Sequence, residues 1–335
     1  MTTSKPHPFL DDPNSDRPVP VDFDALVKAL LDEESASGVV NPTLYYGLSA
    51  LDEKKAAQLK AIWDGLDDDY RLRIIEALTE ASETNFELDY EVIGKMALYD
   101  EASGVRTAAI DLLWENNSLE YMRHLMIMAT DDVSAQVRAA AASGLGRFVY
   151  AGEVGELPIN ETNKAQELAH TIFRNEREDV DVRRRALESL SNSSNDNVEP
   201  SIRDAYADAD RRLNISALYA MGRSCDEEWA DIVLQEIDSQ DDEIRYEAAR
   251  AAGELEIREA VPALSQLALG SDREIQEVTI WSLGEIGGEA ALRTLNHLLK
   301  RAVKRKDTEM VDALEEAIAN ASLSSGALYM LDFSD

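Results

Sequence analysis

A chain of 335 residues with 66 Asp+Glu against 33 Lys+Arg has a formal net charge of −33, a field that repels phosphate backbones and anionic surfaces and disfavours nucleic acid and membrane as partners. The single cysteine, Cys225, excludes an intramolecular disulfide, and with four scattered histidines it makes no common zinc site, which suits a reducing cytoplasm. Hydrophobic residues reach 44% but aromatics only 6%, so the composition, with 9 Pro and 16 Gly, favours helices and argues against a dense enzyme core.

Residues 1–20 hold Pro6, Pro8, Pro13, Pro18 and Pro20, lack the apolar core of a signal peptide, and are expected to be a disordered tail. No apolar run in the chain approaches the ~18 residues of a membrane span. Helix-like segments follow at 23–32, 43–51 and 52–66, forming an expected N-terminal cap over 21–66. The apolar Ile74, Ile75 and Leu78 fit such a cap, because the later equivalents of Leu78 include Asp111, Ser143, Glu188 and Arg250.

From residue 67 an aliphatic-then-Arg dipeptide opens a succession of Ala-rich segments, in the register Leu72-Arg73, Val105-Arg106, Val137-Arg138, Val182-Arg183, Leu213-Asn214, Ile244-Arg245 and Ile275-Gln276. The second members lie 33, 32, 45, 31, 31 and 31 residues apart, a period of 31 with one insertion of 14 residues near 148–163. Four residues before this anchor stand Asp69, Asp179, Asp210, Asp241 and Asp272, placed to cap a helix and to reach the i+4 Arg. Eight residues after it stand Gly146, Gly222, Gly253 and Gly284, expected to stop the helix at its C-terminus.

Around a 3.6-residue helix the positions −1, +3, +4, +6 and +7 from the anchor share one side, as in Ile244, Ala248, Ala249, Ala251 and Ala252. A second helix, such as 229–238 or 261–269, supplies larger apolar side chains, so the unit is a helical hairpin. One hairpin cannot bury its apolar face alone, and stacking shares a continuous core. The anchors Arg73, Arg106, Arg138, Arg183 and Arg245 then lie beside the apolar arc and are expected to be half-buried and paired, not offered to a ligand.

The run Asp241-Asp242-Glu243-Ile244-Arg245 through Gly253, followed by Ala260-Val261-Pro262-Ala263-Leu264, resembles the phycobilisome-lyase type of HEAT-like repeat, and the likeness extends over about residues 67–320. It implies an all-α fold, an α-solenoid of the HEAT-like and armadillo type. No tetratricopeptide or ankyrin signature appears. The resemblance implies a protein-binding scaffold, with an accessory role in cofactor or chromophore attachment as the alternative, and it carries no catalytic residue. HEAT-like DNA glycosylases exist, but the charge disfavours that reading. The iron site of the HEAT-like deoxyhypusine hydroxylase resembles paired His-Glu dipeptides, whereas His7, His124, His170 and His297 are followed by Pro, Leu, Thr and Leu.

No phosphate-cradling Gly-Lys-Ser/Thr loop or Gly-x-Ser-x-Gly elbow occurs, and the Asp runs at 67–69, 131–132 and 241–242 precede helices without the Gly and Glu of a calcium loop. Cys225, followed by Asp226, Glu227 and Glu228, reads as structural. No cofactor and no metal is expected. At +5 the last repeats carry Tyr219, Arg250 and Trp281, an expected exposed aromatic–Arg–aromatic row suited to a protein or peptide, with a basic one matching the net charge. Further contact candidates are Tyr150, Leu157 and Ile159 in the insertion, the basic run Lys300, Arg301, Lys304, Arg305 and Lys306, and the apolar tail with Tyr329 and Phe333 within 321–335, expected to cap the last repeat.

Overall fold

The computed structural model describes residues 21–32 and 38–324, in which no β-strand occurs. The expected tail at 1–20 and the residues Tyr329 and Phe333 lie outside them. By contacts the chain divides into two compact units, Met1–Gly144 and Leu145–Asp335. The boundary falls beside the break in the 31-residue period.

The first unit opens with α1 (Phe23–Leu30), α2 (Pro42–Gly47) and α3 (Glu53–Trp63), whose apolar residues Leu26, Leu44, Leu59 and Trp63 are buried. Hairpin helices follow: α4 (Asp68–Thr84), α5 (Glu91–Ala97), α6 (Ser103–Leu112), α7 (Leu119–Asp131) and α8 (Ala135–Gly144). The first helices α4, α6 and α8 stack in succession, while α5 packs on α6 and α7 on α8. Leu78, which the sequence reading places under a cap, is fully buried.

The second unit begins with α9 (Gly146–Glu153), continues through α10 (Ile159–Arg174), and then alternates first and second helices. These are α11 (Val180–Leu190), α12 (Val198–Tyr206), α13 (Arg211–Arg223), α14 (Ala230–Glu236), α15 (Asp242–Glu254), α16 (Val261–Leu267), α17 (Arg273–Ile286), α18 (Gly288–Arg305) and α19 (Thr308–Ser324). The inserted residues are therefore helical over most of their length. Again the first helices α11, α13, α15, α17 and α19 form a stacked row, each packed on the helix that precedes it. Ala248, Ala249, Ala251 and Ala252 are buried as the 3.6-residue pattern requires.

Capping follows the Asp pattern with one correction. Asp179, Asp210, Asp241 and Asp272 accept backbone N–H groups of their own first turns, but in the first repeat the cap is Asp67, which accepts from the Asp69 amide at 3.1 Å. Three consecutive Asp offer three starts, and the chain takes the earliest, leaving Asp69 exposed inside the first turn.

The glycines also do something other than stop helices. Gly222, Gly253 and Gly284 lie within α13, α15 and α17, and Gly146 opens α9. A Cβ at these positions would come within 3.2 Å of the Cα of a small residue two helices on: Ser189 for Gly146, Ala251 for Gly222, Ser282 for Gly253 and Ala317 for Gly284. Glycine sets the closest approach between consecutive first helices. The left-handed turn comes three residues later, at Cys225 (φ 52°), Glu256 (φ 51°) and Gly287 (φ 65°).

Candidate functional site

The anchor side chains are spent on the turn that precedes their own helix. Arg106 Nη1 donates to Asp100 O (2.8 Å), Arg138 Nη1 to Asp132 O (2.7 Å), Asn214 Nδ2 to Asp208 O (2.9 Å), Arg245 Nη1 to Ser239 O (2.6 Å) and Gln276 Nε2 to Gly270 O (2.6 Å). The acceptor is the carbonyl six residues back each time, because helical side chains lean toward the N-terminus. Arg183 varies the theme, donating to Phe173 O at 3.0 Å, and Arg73 lies over the Tyr70 ring at 5.6 Å. The expected pairing with the i−4 Asp is replaced at Arg245, which pairs with Asp242 while Asp241 is held by Arg211 of the repeat before; Arg106, which has no Asp at i−4, binds Asp132 of the next repeat at 2.7 Å.

Freed of the anchors, the outward face of the second unit's first helices carries a network across α11, α13 and α15. Glu188, nearly buried, accepts from Arg185 (2.6 Å), Arg184 (3.4 Å) and the Ser216 hydroxyl (2.6 Å). Arg250 stacks on Tyr219, its Cζ 4.2 Å from the ring centroid, donates to Glu254 at 2.9 Å, and lies 3.7 Å from Glu247. Arg223 in turn reaches Asn192 (3.0 Å) and Glu254 (3.8 Å).

The expected row at +5 is therefore only partly presented. The structure brings Tyr219 and Arg250 together, but the Arg250 side chain is only 21% exposed because Glu247, Glu254 and the tyrosine ring enclose it. Trp281, one repeat on, is the member offered to solvent, at 39% exposure. In the insertion, Tyr150 and Ile159 are exposed and Leu157 is half-buried.

Burial pushes the Glu247 carboxyl up to about 7, with Glu188 and Glu254 adding to the effect and Arg250 opposing it. Its Oε2, like that of Glu254, is buried without a hydrogen-bond donor. A carboxyl neutral in the fold below pH 7 but ionised in the unfolded chain above its usual value near 4.5 costs stability progressively between those two pH values. Glu247→Gln is therefore expected to match wild type at pH 4.5 and to exceed it well above pH 7 by about 3 kcal/mol, measured by urea denaturation across pH. A constant difference across that range would show that Glu247 does not titrate there.

The first unit presents a different face. A groove of about 350 Å³ between α4, α6 and α8 is floored by Leu72 and Ala108 and lined by Glu76, Glu80, Glu83 and Asp111, with no basic residue in its lining. Among the described residues, no group of three or more His, Cys, Asp or Glu is arranged to hold a metal ion. No described helix is long and apolar enough to cross a membrane.

A family model described as HEAT repeats matches residues 230–319, which span α14 to α19. That stretch consists of HEAT repeats. The stack of first helices seen there runs back to α11. The phycobilisome-lyase subtype is not what the match specifies. No curated protein matches the chain. Among solved structures, the chain is similar to YibA of Escherichia coli, with 16% identity over 80% of this chain and 98% of that one at a TM-score of 0.42. It is similar to an engineered protein, with 19% identity over 90% and 88% at 0.38, and to human deoxyhypusine hydroxylase in complex with glycerol, with 13% identity over 90% and 96% at 0.34.

The sequence reading missed Glu247, Glu254 and Arg223. They stand at +2, +9 and +9 of their repeats, where a charged residue looks like any solvated helix position.

Proposed function

We propose that the protein is a non-catalytic scaffold or adaptor of the cytoplasm that holds a protein or peptide, not a nucleic acid, across the outward face of its first helices. The observation that carries this reading is the Tyr219–Arg250 stack, locked by Glu247 and Glu254 one repeat away from the exposed Trp281. Aromatic and Arg side chains dominate interface energetics, and a guanidinium already fixed loses little freedom when a partner arrives. The network holds no cysteine or histidine, and its hydroxyls are Ser216, which binds a carboxylate, and Tyr219, whose ring is stacked, so the face suits binding more than turnover. The acidic groove of the first unit and the net charge of −33 favour a basic partner, attracted most strongly at low salt.

Capture from native lysate tests this. The wild-type chain is expected to retain a stoichiometric protein, and Trp281→Ala is expected to weaken that complex roughly 30-fold, the effect of losing a hot-spot aromatic. Because Trp281 is exposed, the variant should keep its circular dichroism. Equal retention by both chains, or an eluate whose absorbance shows a bound chromophore in place of a protein, would overturn the reading.

A further inference from the structure

A second surface of the first unit is unrelated to the network above. The loop after α4 and the loop after α6 enclose a groove of about 490 Å³ whose floor includes Leu88 and Leu112. Its edges carry Phe86, 80% exposed, and Trp114, 45% exposed. Two exposed aromatics on the edges of one groove, beside an apolar floor, are unusual for a surface with nothing to bind. Asp89, Glu91 and Glu115 also line it, and no Lys, Arg or His does. Glu91 is paired with Lys95 at 2.7 Å, so Asp89 and Glu115 supply the negative edge.

The course of the chain leads to this groove. Val21 packs beside α2, its Cγ1 3.3 Å from where a Cβ on Gly47 would sit. Just beyond α2, the Ser49 hydroxyl accepts from the Asp89 amide at 3.1 Å and the Ala50 amide donates to Asp89 O at 2.7 Å, while the Tyr90 hydroxyl donates to Tyr45 O at 2.9 Å. Gly47, beside which Val21 packs, is two residues from Ser49, whose hydroxyl meets the groove residue Asp89. The residues between Leu10 and Val21 span up to about 34 Å at polyproline rise, enough to cover that separation.

We propose that the segment Lys5-Pro6-His7-Pro8-Phe9-Leu10 of the same chain docks in this groove. Proline-rich segments suit aromatic-lined grooves because they are already extended and lose little entropy on binding. The segment matches the groove in chemistry: Pro6, Pro8, Phe9 and Leu10 suit its aromatic edges and apolar floor, and Lys5 suits the negative edge of Asp89 and Glu115. Tethering raises the local concentration of the segment to the millimolar range, so a weak contact suffices.

The test uses the full chain with Phe9 replaced by the photo-crosslinker p-benzoylphenylalanine. Irradiation of a dilute sample is expected to give monomeric products joined to residues 86–91 or 112–118, reduced at least five-fold when Phe86→Ala and Trp114→Ala are combined. Products joined elsewhere, an absence of groove products, or products only between two copies would overturn the assignment. Independently, the amides of 86–91 and 112–118 should exchange hydrogen at least five-fold faster in Phe9→Asp/Leu10→Asp than in wild type, and unchanged exchange would equally sink it.

Discussion

Replacing Asp100 with Ala is expected to destabilise the first unit by about 3–5 kcal/mol, the cost of stranding a buried charge. Asp100 is only 5% exposed. Its Oδ1 accepts from Arg71 Nη2 at 2.9 Å and from the Ala102 amide at 2.9 Å, and its Oδ2 accepts from the Trp63 indole at 2.8 Å and lies 2.9 Å from Arg71 Nε in the same ion pair. It thereby joins the end of α3, the first turn of α4 and the loop before α6. Arg71 is itself 4% exposed, so removing the carboxylate leaves its buried guanidinium with only the Leu66 carbonyl and Asp68 as partners. Asp68, the other acid on Arg71 at 2.8 Å, is mostly exposed and cannot substitute.

Thermal denaturation and hydrogen exchange of the first unit would measure the effect. Asp68→Ala is the control, expected within ~1 kcal/mol of wild type as an exposed pair. Arg71→Met combined with Asp100→Ala should be more stable than Asp100→Ala alone, since the orphaned charge is gone. If Asp100→Ala behaves like Asp68→Ala, the carboxylate does not hold these elements together.

The periodic features that were legible from sequence are those whose cause lies within a single repeat. An Asp that caps its own helix and an apolar arc with 3.6-residue spacing are local, and both stand where their spacing placed them except in the first repeat, where Asp67 caps in place of Asp69. Features whose cause lies in a neighbouring repeat were misread. Gly253 looked like a stop because it sits near a helix end, whereas its reason is Ser282 in the next repeat. Asp100 gave no signal, because Arg71 and Trp63 are 29 and 37 residues away. The anchors held an unused clue: Arg106, Asn214, Arg245 and Gln276 share no charge but all donate N–H, which is what clamping a carbonyl six residues back demands. At the +5 row, Tyr219, Arg250 and Trp281 were found by periodicity. Which of them would be enclosed depended on Glu247 and Glu254, whose positions carry no periodic mark.

Gly253→Ala gives the contact between first helices a test of sign. In an exposed helix this substitution adds about 1 kcal/mol of stability through helix propensity. Here a Cβ would lie 2.8 Å from the Cα, Cβ and Oγ of Ser282, and the Ser282 hydroxyl is itself 2.8 Å from Ala249 O and from Val278 O. The serine can retreat only if α15 and α17 separate, so the expected change is a loss of about 1–3 kcal/mol for Ala, with Val beyond that range, as for overpacked cores. Ser282→Gly should recover part of the loss in the double variant, giving a coupling energy of about 1 kcal/mol or more in a double-mutant cycle. A stabilising Gly253→Ala, or strict additivity with Ser282→Gly, would mean that the stack yields at this point and that helix spacing is set elsewhere along the row.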